Sequence, residues 1–409
     1  MTGFFSKKET QSKTRPDGRV YSCASCGLYK NANSPRMKPF GNFKKGILNI
    51  GEVPGQTEDE RGKQWQGKSG RLLKRTYAKF GIDLFEDCLN INAINCRAID
   101  NKGNNRNPSN YEVDCCRQVI ISKIIKEYQP SVIVLLGSSA LYSILGNRWK
   151  KDLGGINKWR GFVIPDQNYK CWICPVFHPS YVERFEEEEI KTIWEQDLKN
   201  ILQYLDKPFL RHSKPRIHII EDLSLLNNIK SENAAFDYET TGLKPYAKGH
   251  RIICGSIAVS KNLAYAFMIP GDRKSRQPLI NFLENQLIGK IAANIKFEDT
   301  WTKIRLKTNV MNWEWDTMLA AHVLDNRRGV TGLKFQVYVN FGIVDYSSEI
   351  EPYLKSVDGN SNSLNRVPEL IKTEDGKKKL LTYCGLDSIY EYRLAMKQMK
   401  IINYTGLPF

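Results

Sequence analysis

Apolar positions in the first half of the chain fall into short blocks separated by longer amphipathic stretches. ILNIGEV (47–53), CLNINAIN (88–95), SVIVLLG (131–137) and KCWICPVF (170–177) have the length and apolar content of buried strands. Between them, SGRLLKRTYAKFG (69–81), YEVDCCRQVIISKIIKEYQ (111–129) and SSALYSILG (138–146) carry helical patterning, as does EEEEIKTIWEQDLKNILQYL (186–205). Such alternation predicts a parallel or mixed sheet with helices on its faces. DKPFLRHSKPR then breaks the pattern, and residues 206–215 are expected to be a linker between domains. The alternation restarts with strand candidates RIHII, NAAFDYE, RIICGSIAVS, LAYAFMIP and KIAANI (290–295), after which only helices are predicted. The segment KSVDGNSNSLNR (355–366) reads as a loop, and no repeat or heptad pattern links the halves. The expected organisation is a tail over 1–19, a domain over 20–205, the linker, and a second domain over 216–409.

Composition narrows the class. A chain of 409 residues suggests roughly two or three domains. A hydrophobic fraction of 41% supports packed cores, and no apolar run approaches the ~20 residues of a membrane span. The N-terminus MTGFFSKKETQSKTRPDGR is basic and lacks the apolar core of a secretory signal, so a cytoplasmic location is expected. A net charge of +17 favours a polyanionic partner, most commonly nucleic acid. Ten cysteines in such a chain are expected to be reduced thiols or metal ligands.

In the second half, FDYETTG sets Asp237 and Glu239 two apart on a strand, so both carboxylates share a face. NIKFEDTW offers Asn294, Glu298 and Asp299 where a strand passes into a helix. TYCGLDSIYEYRL places Tyr383 and Asp387 one helical turn apart. Carboxylates converging from these elements could hold two divalent metals, which activate water for in-line phosphoryl displacement. FDYETTGL, NIKFE, WDTMLAAHVLD and YCGLD, in that order over 216–402, resemble the 3′–5′ exonuclease domain of family A DNA polymerases, with an RNase H-like αβ fold. The resemblance implies Asp237, Glu239, Glu298 and Asp387 as ligands of two Mg2+ or Mn2+ ions, with Tyr383 positioning the attacking water. The second motif ends in Glu298 where the family has Asp, and Asp299 stands beside it as the alternative ligand.

In the first half, CASCGLYK supplies Cys23 and Cys26, NCRAID supplies Cys96, and DCCRQV supplies Cys115 and Cys116. Spacing alone allows either zinc or an iron–sulfur cluster. A second CxxC, Cys171 and Cys174, lies in an apolar run and reads as buried core. The segments GEVPGQTEDERGKQWQGKSGRLL, NINAINCR, VIVLLGSSALYSILG and VFHPSYVER resemble the uracil-DNA glycosylase superfamily, above all its family 4, over about 20–205. That resemblance implies a three-layer αβα fold and a 4Fe-4S cluster on Cys23, Cys26, Cys96 and Cys116, with Cys115 the alternative to the last. It places Trp65 as the ring that stacks a flipped base, Asn92 as the base-reading amide and His178 as the donor that stabilises the leaving base. Glu52 falls on the sugar side, Tyr181 and Val182 where the helix wedges into DNA, and Arg184 on phosphate. Trp65 between Gln64 and Gln66 departs from the family's Pro-Phe-Val, which leaves open whether uracil is excised or DNA merely bound.

One further match competes with this reading. Residues 62–69, GKQWQGKS, fit the phosphate-loop pattern letter for letter. That loop must leave a buried strand directly, and here a charged segment, QTEDERG, precedes it, so a base-binding loop is the better reading. The expected function joins a 3′–5′ exonuclease to a uracil-glycosylase-like domain acting on DNA, including 3′ single strands and uracil-containing DNA. The chain would be the front part or partner of a family A polymerase, as in phage, where its location would be the host cytoplasm. The alternatives are an exonuclease whose first half only binds DNA or a polymerase, and an RNase D-like exoribonuclease.

Overall fold

The computed structural model describes residues 18, 20–149, 152–185, 187–360 and 362–404; the expected tail over 1–19 lies outside them apart from Gly18. The chain divides between Arg211 and His212 into two compact units, and each is an α/β domain.

The first unit is built on a five-stranded sheet. Its strands are β1 (Ile47–Gly51), β2 (Cys88–Asn92), β3 (Val132–Leu136), β4 (Ile164–Asp166) and β5 (Cys171–Val176), in the order β2-β1-β3-β5-β4. The first three junctions are parallel, and β4 adds antiparallel to β5. Every residue of β3 is buried, as a parallel strand covered on both faces requires. Val132, Val134 and Leu136 point into a core with Leu73 and Tyr77 of the helix Lys68–Lys79 and Trp194, Leu198 and Ile201 of the helix Glu188–Leu202. Cys171 and Cys174 are buried in β5, as their apolar setting predicts.

The second unit holds β6 (Arg216–Ile219), β7 (Asn233–Thr240), β8 (Ile252–Ser260), β9 (Leu263–Met268), β10 (Gly289–Ala292) and β11 (Trp313–Asp316), ordered β11-β10-β7-β8-β9-β6. β7 pairs parallel with β10 and antiparallel with β8. Phe236 and Tyr238 enter one core with Trp301 and Phe282. Residues 235, 237 and 239 therefore face the other way, toward the long helix Glu374–Ile402 that packs on β7, β8 and β9.

Two strands escaped the sequence reading. β4 has three residues, and β11, WEWD, is a four-residue half-buried edge strand where only helices were expected. Both are too short for hydrophobic periodicity to declare them. Among the described residues no helix is long and apolar enough to cross a membrane.

Candidate active sites

The carboxylate centre of the second unit is assembled from β7 and the long helix. One ligand oxygen from each of Asp237, Glu239 and Asp387 lies within 4.8 Å of the others. Burial, then the charge of Asp387, holds Asp237 well above the usual carboxylate range; burial, then Asp237, does the same to Glu239. Such crowding of buried acids is costly unless cations neutralise it. Tyr383 stands one turn before Asp387 and is buried.

Glu298 lies outside that trio but is only 3% exposed, and after burial its largest perturbation comes from Asp237. Asp299 instead pairs with Lys303 at 2.6 Å on the partly exposed side of the helix Ile295–Trp301. The motif aspartate Asp316 sets this helix in place, accepting from the Asn294 and Ile295 amides at 3.1 and 2.9 Å. It also caps the next helix, Thr317–Leu324, through the Met318 and Leu319 amides.

Three residues of this centre were not read from the sequence. Lys334 donates to Asp387 Oδ1, and the Tyr346 hydroxyl donates to the same oxygen at 2.7 Å. The Lys334 ammonium lies 4.3 Å from the ring centroids of both Tyr346 and Tyr383. Glu391, one turn beyond Asp387, is the third. Lys334 and Tyr346 carry no local signal, because they meet Asp387 across 53 and 41 residues. Glu391 did carry one: Tyr383, Asp387 and Glu391 recur every fourth residue in an otherwise apolar buried helix face.

In the first unit, Cys23, Cys26, Cys96, Cys115 and Cys116 line one cavity together with Leu28, Ile94 and Ile120. Burial pushes the Cys26 thiol to about 11 and Cys116 to about 12. Glu112 fixes the helix Asn110–Cys116 by a capping box with Ser109 and a two-pronged pair with Arg106, at 2.6 and 3.0 Å. A thiol-lined cavity walled by aliphatic residues with Tyr29 and Arg36 fits the donor set of a four-cysteine iron–sulfur cluster, and five thiols leave the choice between Cys115 and Cys116 open.

The base pocket is crowded by Trp65. Its backbone is left-handed, φ +61°, and the ring is 8% exposed. A Cβ on Gly51 would lie 3.0 Å from Trp65 Cζ2 and 2.3 Å from Asn92 Oδ1, so indole and amide converge on one point of β1. On its other side Trp65 stacks against His178, with centroids 5.6 Å apart and planes at 29°. A base inserted between two rings needs two carbon contacts of ~3.5 Å each, or about 7 Å. Gly70 underlies the arrangement, since a Cβ there would meet the Trp65 carbonyl oxygen at 2.0 Å.

Several neighbouring polar groups are tied down, while Gln64 Oε1 and Trp65 Nε1 are buried without a hydrogen-bond partner among the described residues. The Ser180 amide donates to His178 Nδ1 at 3.2 Å, which leaves the ring proton on Nε2 as the free donor. Burial lowers the basicity of this histidine and keeps it neutral. Glu52 Oε1 accepts from the Ser139 amide at 3.1 Å. Glu58 accepts from the Gly67 amide at 2.7 Å, placing a carboxylate at the helix start where the phosphate-loop reading required phosphate. The loop 62–67 also joins two helices, Gln56–Arg61 and Lys68–Lys79, with no strand before it. On the helix Pro179–Phe185, Val182 faces the core rather than DNA, and Tyr181 stacks on Phe177 and meets Phe185 at a tilt. Phe185, 48% exposed, and Arg184 project outward.

Fold and sites together define the class: an α/β chain with a glycosylase-type base pocket in one half and an exonuclease-type carboxylate centre in the other. The uracil DNA glycosylase superfamily matches residues 38–204, and the 3′–5′ exonuclease family matches residues 217–402. The type-4 uracil-DNA glycosylase of Thermotoga maritima is 31% identical over 189 residues, covering 46% of this chain and 92% of that protein. The DNA polymerase of Bacillus phage SP01 is 24% identical over 334 residues, covering 73% of this chain and 34% of the polymerase. Among solved structures, Brucella melitensis NrnC with bound Mg2+ aligns at a TM-score of 0.35 and 20% identity, over 47% of this chain and 85% of that one. Through its first half the chain belongs to the type-4 uracil-DNA glycosylase family, and its second half is a 3′–5′ exonuclease domain, a hydrolase. It is a DNA-processing fusion of the two.

Proposed function

We propose that the chain degrades DNA from 3′ ends with divalent metal, while its cluster-bearing first half grips the same DNA, in the service of a family A-type polymerase. The convergence of Asp237, Glu239 and Asp387 within 4.8 Å carries this reading. Glu298, buried on the helix Ile295–Trp301 and perturbed after burial by Asp237, completes the ligand set. Divalent cations held there supply a nucleophile at neutral pH and balance charge on the displaced oxygen. Tyr383 orients the attacking water, and Lys334 keeps Asp387 aligned. Cys23, Cys26, Cys96 and one of Cys115 and Cys116 hold a 4Fe-4S cluster that ties the N-terminal helix to the body of the domain. The polymerase association is supported by the phage relative, whose match is longer than either half.

End-labelled DNA, with RNA of the same sequence in parallel, tests the reading. Magnesium should produce a ladder shortening from the 3′ end of DNA, EDTA should abolish it, and Asp237→Asn should slow it about 10³-fold. An intact DNA ladder with magnesium overturns the proposal, and degradation of RNA alone replaces it with an RNase D-like activity.

For the first half, the Trp65–His178 spacing favours binding without excision. A uracil-containing strand incubated in EDTA and then treated with alkali should remain whole; cleavage at uracil would assign an active glycosylase instead.

A further inference from the structure

We infer that Glu391 is a fifth carboxylate of the metal centre, holding a cation on the side formed by Asp237 and Glu298. This rests on the proposed exonuclease reading and adds a ligand to it. Glu391 lies one turn beyond Asp387 on the long helix, on the same buried face. It is 1% exposed, and its Oε2 has no hydrogen-bond partner among the described residues. Glu298 Oε2 is equally without one. Glu391 stands beside the three-carboxylate group of Asp237, Glu239 and Asp387, and no ion pair of its own is seen among the described residues. The charges acting on it are those of Asp237, Glu298 and Asp387, with Lys334 opposing them.

Buried polar atoms are almost always partnered, and two buried carboxylate oxygens without a hydrogen bond beside an acidic cluster are donors suited to a cation. Lys334 donates to Asp387 Oδ1 and leaves the Glu298 and Glu391 oxygens without a hydrogen bond. Charge supports the assignment. Asp237, Glu239, Glu298, Asp387 and Glu391 with one ammonium, Lys334, leave four negative charges, which two divalent cations neutralise. Without Glu391 the same two cations and Lys334 would leave the pit positive.

Calorimetric titration of Mn2+ into the full-length protein, purified anaerobically to keep the thiols intact, tests this. Wild type should take up two ions at this centre, and the Asp237→Asn control should lose both. Glu391→Gln should keep one site and bind the second about 10-fold or more weakly. Its melting temperature in EDTA should not fall, which separates lost binding from lost structure. Should that variant fail to fold, Glu391→Leu serves, because an apolar residue in place of a buried charge is often tolerated or stabilising. Unchanged binding of two ions by a folded Glu391 variant overturns the inference and leaves the exonuclease centre standing. Wild type that binds no more Mn2+ than Asp237→Asn overturns the centre and the inference together.

Discussion

The two halves bury carboxylates around their sites in opposite ways. In the first, carboxylates beside the base pocket are spent on the protein's own backbone: Glu52 on Ser139, Glu58 on Gly67, and Asp59 on Asn33 and Ser34. In the second, Glu298 and Glu391 each keep an oxygen without a partner, and Asp237, Glu239 and Asp387 crowd one another. A carboxylate already held by backbone amides is stable as it stands and needs no cation. An unpartnered one is costly as it stands and is stabilised by binding a cation. The first half thus belongs to a glycosylase family with Trp65 and His178 stacked in its pocket, and the second carries a carboxylate group suited to divalent cations.

The sharpest way to break that contrast is to empty the closed pocket. Trp65→Phe removes the ring that lies between Gly51, Asn92 and His178 while keeping a stacking surface. Excision of uracil, measured by alkaline cleavage in EDTA, should rise at least about tenfold, a barrier change of ~1.4 kcal/mol. If the variant is as inert as wild type, Trp65 is not what closes the pocket.

A smaller effect follows from His178. Its basicity is lowered in the folded state, chiefly by burial. The unfolded chain therefore takes up the proton first as pH falls through about 6.5. Its contribution to stability is whole above that value and lost as pH drops below it, by at most about 1.4 kcal/mol per unit. Urea unfolding of wild type and His178→Gln at pH 7.5 and 5.5 should show the steeper loss in wild type. Equal slopes would mean that the histidine is not held neutral by the closed pocket.

Much of this was legible from local spacing. Asp237 and Glu239 share a face because strands repeat every two residues, and Tyr383 and Asp387 share one because helices repeat every three to four. Those rules are short-range, and so were their successes. Lys334 sits in an apolar helix, GLKFQVYVN, and its partner is 53 residues away, so nothing beside it announced an ion pair. Trp65 was singled out as the decisive residue, but the direction of its ring depends on a left-handed backbone and on the space left by Gly70. The edge strand β11 is set by pairing with β10, a contact that four half-buried residues cannot signal by themselves.

The smallest effect concerns how a closed pocket still holds DNA. Arg184 is exposed on the helix Pro179–Phe185; its Nε is fixed to the Ser180 carbonyl at 3.2 Å. The guanidinium is thus oriented without being neutralised by a carboxylate on that nitrogen, as a phosphate contact requires. Phe185 beside it offers an apolar face to a neighbouring base. If the first half grips DNA through its backbone, Arg184→Ala should weaken binding by a similar factor for uracil-containing and ordinary strands. The slope of log affinity against log salt should also become shallower by about 1. Fluorescence anisotropy across a salt series measures both. A loss confined to uracil-containing strands would show that the pocket still reads the base, which a site closed by Trp65 cannot do.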